Sequence, residues 1–204
     1  FVLEEDLYPG DYIIDIAKYI IDKTKKEFKS YDESFDIIRL HSLDYSLKEI
    51  KKDLKELGIS HDIYISENEL VKKKLVEKSV ESLKKNKLIV EGYLNPPKGE
   101  EKKNWKKTKR LIFKSSLFGD DQDRALQKDD GSWTYFANDL AYHNDKILRK
   151  FDILINILGA DHTGYIKRIS AAVKAISNNK TSLFCRVSQL VKLFKDGKPF
   201  KMSK

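Results

Sequence analysis

Two short polar strings near the end of the sequence hold the residue types that ribose and polyphosphate chemistry needs. The first is Gly159-Ala160-Asp161-His162-Thr163-Gly164-Tyr165, directly after the apolar run Ile153-Leu154-Ile155-Asn156-Ile157-Leu158. Gly159 has no side chain, so a ligand can approach the backbone closely there. The Asp161 carboxylate can accept hydrogen bonds from ribose hydroxyls, and His162 can donate or accept. The second string is Lys201-Met202-Ser203-Lys204, after the turn Lys195-Asp196-Gly197-Lys198. Two lysines flanking Met-Ser can set two ammonium groups on a polyphosphate as charge develops. Taken alone, the first reads as a self-satisfied loop and the second as a solvated basic terminus. Their specificity lies in the combination and the order.

The elements that must position these strings alternate in kind. Residues 133–136 read as a strand, and Asn138 or Asp139 can begin a helix reaching Arg149. Residues 153–158 form a continuous apolar run without alternation, which predicts a strand covered on both faces. Residues 163–176 predict a helix with Ile166, Ile169, Ala172, Val173 and Ile176 on one side. Residues 183–194 predict another strand. This order implies parallel strands joined by right-handed crossovers. Ligands of such sheets sit beyond the carboxyl ends of the strands, where both polar strings fall.

The front of the chain is more helical. After Tyr8-Pro9-Gly10, Asp11 can cap a helix to about Phe28, with Ile13, Ile16, Ala17, Ile20 and Ile21 on one stripe. A second helix is expected over 35–57, stopped by Gly58. Residues 62–65 are a strand candidate. Ser66 with Glu69 reads as a capping box opening a helix to about Asn86. Residues 88–94 predict a strand, broken by Asn95-Pro96-Pro97. Residues 111–114 predict another, paired with one near 124–126. Residues 98–110 carry seven Lys/Arg against two Glu, around Trp105. They read either as a phosphate-contacting loop with one stacking aromatic or as a solvated hairpin tip. Asp120, Asp121 and Asp123 read as a divalent-metal loop or as an acidic turn paired with Arg124. The spacing of a calcium loop is absent, which favours the turn.

Composition sets the bounds. The 204 residues are 40% hydrophobic, enough for one good core or two modest ones. Mean hydropathy is −0.56, and no apolar run reaches the roughly 20 residues of a membrane span, so a soluble protein is expected. The N-terminal Phe-Val-Leu-Glu-Glu-Asp has no basic leader region. The single cysteine, Cys185, allows no internal disulfide and reads as a buried core thiol in a reducing compartment. A net charge of +8 suits a polyanion such as RNA, yet a general Lys-rich bias would raise it equally.

Four strings in order carry a family resemblance: Tyr135-Phe136-x-x-Asp139-x-Ala141-Tyr142-His143, Gly159-Ala160-Asp161-His162-x-Gly164-Tyr165, Gln189-Leu190-Val191, and Asp196-Gly197-x-Pro199-x-Lys201-Met202-Ser203-Lys204. Together they closely resemble bacterial-type arginyl-tRNA synthetases, which are class I aminoacyl-tRNA synthetases. Residues 8–13 and 118–121 are also similar to that family. The resemblance spans nearly the whole chain and is weakest over 98–109.

It implies an α/β fold: the second half of a Rossmann-type parallel-sheet catalytic domain over 128–204, plus an α+β connective insertion over 1–127. It also implies ATP-dependent activation of L-arginine to an adenylate, with Mg2+ accompanying ATP, then transfer to tRNA(Arg). By the resemblance, Asp139 pairs with the arginine guanidinium, Tyr135 serves the same pocket, and His162 lines the amino-acid and ATP site. Gly159 and Asp161 face the ribose, and the backbone around Leu190 and Val191 faces the adenine. Lys201 and Lys204 steady the phosphates. A cytoplasmic, monomeric parent is implied, with no structural metal and no membrane partner.

Two departures stand out. Thr163 lies where the family commonly has a second histidine, and no His-x-Gly-His signature occurs, since His41, His61, His143 and His162 are isolated in sequence. The resemblance therefore identifies an interior fragment, expected to charge negligible tRNA alone. Two other readings remain: another class I synthetase, or a free-standing RNA-binding module using residues 98–110.

Overall fold

A computed structural model describes residues 10–94, 108–189 and 191–200 of the chain. The chain divides into one unit of Phe1–Tyr64 with Lys192–Lys204, and a second of Ile65–Val191. In the first unit, helix α1 spans Tyr12–Thr24 and α2 spans Tyr31–Glu56. The α1 stripe buries Ile16 and Ile20, and the helix ends where Lys25 turns left-handed (φ 52°). Asp11 precedes α1 but its side chain caps nothing. Ser30 caps α2 by accepting from the Glu33 N–H at 3.3 Å, and Gly58, at φ 74°, terminates it as expected. The Tyr19 hydroxyl donates to Asp44 (2.6 Å) and accepts from Lys48 (2.8 Å), tying α1 to α2.

Residues 62–65 form no strand. Ile63 and Ile65 stay exposed, and four alternating residues without a ladder partner cannot pair their backbone. The helix expected over 66–86 is two helices, α3 (Glu67–Lys72) and α4 (Leu75–Lys85), separated where Lys74 adopts φ 52°. The capping box does not form either, because the Ser66 side chain makes no cap bond.

Strands β1 (Ile89–Gly92), β2 (Arg110–Phe113) and β3 (Arg124–Ala125) make an antiparallel sheet in that order, as the pairing of 111–114 with 124–126 anticipated. Phe113 and Leu126 project from it into a core with Val76, Val80 and Leu83 of α4, and with Phe136 and Leu140 of the next helix. Residues on both sides of position 128 thus share one core.

That next helix, α5, spans Tyr135–Leu148. The strand expected over 133–136 is absent. Thr134 is extended (ψ 160°) but its side chain accepts from the Ala137 N–H at 3.3 Å, so it caps a helix that begins one residue later. Trp133 forms one isolated bridge to Gln127. Thr134→Ala should cost about 1 kcal/mol of stability, read as a lowered chemical-denaturation midpoint with an unchanged slope.

Strand β4 (Ile153–Gly159), a 3-10 turn (Ala160–Tyr165), helix α6 (Ile166–Ser177) and β5 (Ser182–Ser188) complete the second unit. β4 and β5 are parallel, in register from Ile153 with Ser182 to Gly159 with Ser188. The helix expected over 163–176 opens as the 3-10 turn and becomes α-helical at Ile166, burying Ile169, Ala172 and Val173. The strand expected over 183–194 stops at Ser188. Beyond it, β6 (Leu193–Lys195) and β7 (Lys198–Phe200) form a hairpin through Asp196 and Gly197, both at positive φ. β4 is not covered on both faces among the described residues. Leu154 is 5% exposed, whereas Ile155 and Ile157 on the opposite face are 63% and 71% exposed. No described helix is long and apolar enough to cross a membrane.

Candidate functional site

The carboxyl ends of β4 and β5 lie side by side, and β4 runs directly into the 3-10 turn. A Cβ at Gly159 would sit against the Asp161 carboxylate, so glycine is what lets that side chain fold back over the strand end. His162 Nε2 lies 3.5 Å from Asp161 Oδ2, and both side chains are exposed. Thr163 donates its hydroxyl to the Ala160 carbonyl at 2.6 Å, so it closes the turn locally.

Tyr165 ends the turn and reaches back to α5, where its hydroxyl donates to Asp139 Oδ2 at 2.5 Å. Burial pushes the Tyr165 phenol up, and the hydrogen bond to Asp139 raises it further, so it stays protonated. Asp139, Tyr142, His143, Asn156, His162 and Tyr165 line a cavity of about 350 Å3. A second, of about 230 Å3, opens on the other side of Asp139, beside Glu67 and Asn138.

Three polar side chains link α5 to β4 under this cavity. His143 Nδ1 is 2.8 Å from the Asp139 carbonyl, and Nε2 is 2.9 Å from Asn156 Nδ2. Asn156 Oδ1 accepts from Lys146 Nζ at 3.0 Å. Burial lowers the His143 imidazole and also the Lys146 ammonium. Sequence reasoning missed this set, treating His143 as isolated. Its signals were Asn156 interrupting an apolar strand and His143 one helical turn after Asp139.

Tyr135 lies elsewhere. It is 81% exposed, with Lys128 Nζ 5.8 Å from its ring, and it borders a separate cavity of about 540 Å3 with Arg110, Arg124 and Arg168. The resemblance put Tyr135 in the pocket of Asp139, whereas here it is the first residue of α5 and lines the other cavity. Arg168 stacks over Tyr165 at 5.2 Å and Phe136 at 5.9 Å, and burial pushes its guanidinium down. Val191 is exposed, while Leu190, Lys201 and Lys204 lie outside the described residues, as do residues 98–107 of the basic stretch. Cys185 is a half-buried free thiol pushed up by burial, in line with a packing role.

The acidic stretch is a self-satisfied turn. Arg124 donates to both Asp120 oxygens at 2.8 Å, and Ser115 donates to Oδ2 at 2.9 Å. The Asp121 N–H donates to Oδ1 at 2.8 Å. Burial would raise the Asp120 carboxyl, but these bonds together hold it well below the usual carboxylate range. Among the described residues, no group of three His, Cys, Asp or Glu is placed to hold a metal ion.

No protein-family model matches the chain. It is 54% identical over 200 residues to an arginine–tRNA ligase of Pelagibacter ubique, covering 98% of this chain and 35% of that protein. An arginine–tRNA ligase of Ehrlichia chaffeensis is 49% identical over 205 residues, covering 100% of the chain and 36% of the relative. A crystal structure from Campylobacter jejuni, described as an arginyl-tRNA synthetase, superposes with a TM-score of 0.78 at 34% identity, over all of this chain and 41% of that one. A Plasmodium falciparum arginyl-tRNA synthetase shares the fold (TM-score 0.56, 18% identity, 88% of this chain and 28% of that one). The parallel β4–α6–β5 unit with its polar strand end thus matches a segment of an aminoacyl-tRNA synthetase. Over nearly its whole length the chain is similar to arginine–tRNA ligases, and it spans about a third of the length of the curated relatives it matches.

Proposed function

We propose that the chain is part of an arginine–tRNA ligase and supplies residues to the ATP-dependent activation of L-arginine and its transfer to tRNA(Arg). The observation that carries this is the Asp139 carboxylate, oriented by Tyr165 in the strand-end cavity beside Gly159-Ala160-Asp161-His162. A fixed carboxylate matches the planar donor fork of a guanidinium. In this reading Asp139 takes the arginine side chain, while Tyr135, at the start of α5, borders the separate cavity lined by Arg110, Arg124 and Arg168. His162 serves both substrates. Gly159 and Asp161 take the ribose of ATP, the backbone around Leu190 and Val191 the adenine, and Lys201 and Lys204 the phosphates. Mg2+ arrives with ATP and neutralises phosphate charge. Residues 128–204 carry these roles and 1–127 act as the connective insertion. The parent works as a cytoplasmic monomer, and the chain alone charges negligible tRNA.

The test is arginine-dependent exchange of pyrophosphate into ATP by the full-length protein. Arginine should support exchange where cysteine and glutamate do not. Asp139→Ala should weaken arginine binding roughly 100-fold, since a charged pair is lost at a partly buried site. Equal response to the three amino acids would defeat the arginine assignment. A free-standing RNA-binding module is not favoured, because relatives named arginine–tRNA ligase match the chain end to end.

A further inference from the structure

Asn156 is the one polar side chain in the apolar run of β4, and its partner His143 is among the few buried polar residues of the second unit described here. Their bonding permits a single arrangement. The Asp139 carbonyl can only accept, so His143 Nδ1, 2.8 Å away, carries the proton. Nε2 then presents a lone pair and accepts an N–H from Asn156 at 2.9 Å. This orients the amide, leaving Asn156 Oδ1 to accept from the Lys146 ammonium at 3.0 Å. Each of the three bonds joins one donor to one acceptor, and all three point from Lys146 towards the backbone of Asp139.

Asp139 therefore has both ends held. Its carbonyl takes the imidazole N–H, and its carboxylate takes the Tyr165 hydroxyl at 2.5 Å. We infer that His143 and Asn156 are positioning residues for Asp139, with the neutral imidazole fixing the helical turn that aims its carboxylate into the strand-end cavity. The ligand of that cavity is taken from the arginine reading above; the hydrogen-bond chain stands without it. The titratable groups around the ring are Asp139, Tyr142 and Lys146 from α5, and Tyr165 and His162 from the turn. Cys185 on β5 faces Lys146. Burial disfavours imidazolium, and the nearby Lys146 charge adds to this, so His143 remains neutral in the physiological range.

The test uses the full-length protein with His143→Phe, Asn156→Leu and Asn156→Asp. His143→Phe and Asn156→Leu each delete two bonds at similar volume. Each should raise KM for L-arginine on the order of tenfold while leaving kcat within about twofold. Asn156→Asp keeps an acceptor for Lys146 but turns a carboxylate oxygen towards Nε2. Nitrogen-15 resonances of His143 should show the Nδ1–H tautomer in the wild type and a doubly protonated ring at neutral pH in this variant. The Cζ resonance of Tyr165 should shift in His143→Phe, because its acceptor has moved. Where His143→Phe does not fold, Asn156→Asp, which keeps partners at both ends, decides the matter. An Nε2–H tautomer in the wild type overturns the inference. So does an unmoved KM in both deletion variants of a protein that activates arginine. If the wild type activates no arginine, the functional reading fails instead. In that case an unmoved Tyr165 resonance in His143→Phe overturns the positioning role separately.

Discussion

Replacing Phe113 with alanine is expected to lower the unfolding free energy of the second unit by about 4 kcal/mol. Phe113 is fully buried at the end of β2, with its ring 6.3 Å from Phe118 and 6.2 Å from Phe136. It is where the antiparallel sheet meets α4, α5 and α6, so the vacated volume has walls from four elements and little freedom to collapse. Domains of ordinary stability have only about 5–15 kcal/mol in total, so the loss is a large share of it. The melting temperature should drop on the order of 10–15 °C. Phe184, half-exposed on the open face of the parallel sheet, is the matched control, and Phe184→Ala should move stability far less. Equal losses at the two positions would show that the core is not centred on β2.

The second large effect belongs to Asp120. Its side chain is fully buried and receives the bidentate Arg124 guanidinium, which is itself 12% exposed. Asp120→Ala removes the buried partner and leaves Arg124 with Asp121 alone, which costs about 3 kcal/mol, the low end for a broken buried pair. The pair also makes stability depend on pH, with a definite sign. The folded carboxyl is held below its ordinary value of 3.8. Its contribution is therefore present in full above that value, and it is lost progressively as pH falls below it towards the folded one. Urea midpoints of the wild type should decline between about pH 5 and pH 2 more steeply than those of Asp120→Ala. Parallel declines would remove Asp120 as the source.

What the sequence disclosed depended on whether the deciding interaction was local. Asp196-Gly197 announced a turn because positive φ is a property of those residues, and Gly58 ended α2 for the same reason. The polar strand end after β4 was legible because a long apolar run can go few places in a chain of this size. Trp133 and Thr134 were misread because aromatic and β-branched residues favour strands. The hydroxyl that turned Thr134 into a cap acts three residues downstream. Lys74 gave no warning of its left-handed backbone at the break between α3 and α4, since lysine is an ordinary helix former. The apolar run of β4 was read as covered on both sides, a property of a whole sheet that no stretch of six residues can establish. The candidate site divides in the same way. Asp139 and Tyr165 are 26 residues apart and meet only through the fold.

The register of the parallel strands has a kinetic consequence. All seven residue pairs, from Ile153 with Ser182 to Gly159 with Ser188, enclose the same length of chain with α6 inside it. Closing a loop of that length is the entropic hurdle, and it is met once, at whichever pair forms first. The others then add by zippering, with no further loop to close. α6 can form early on its own and shortens the span to be searched. The parallel strands should consequently dock in a single late step, after α6 and ahead of any ligand. Substitutions within α6 should slow refolding, whereas those in the middle of β5 should chiefly speed unfolding.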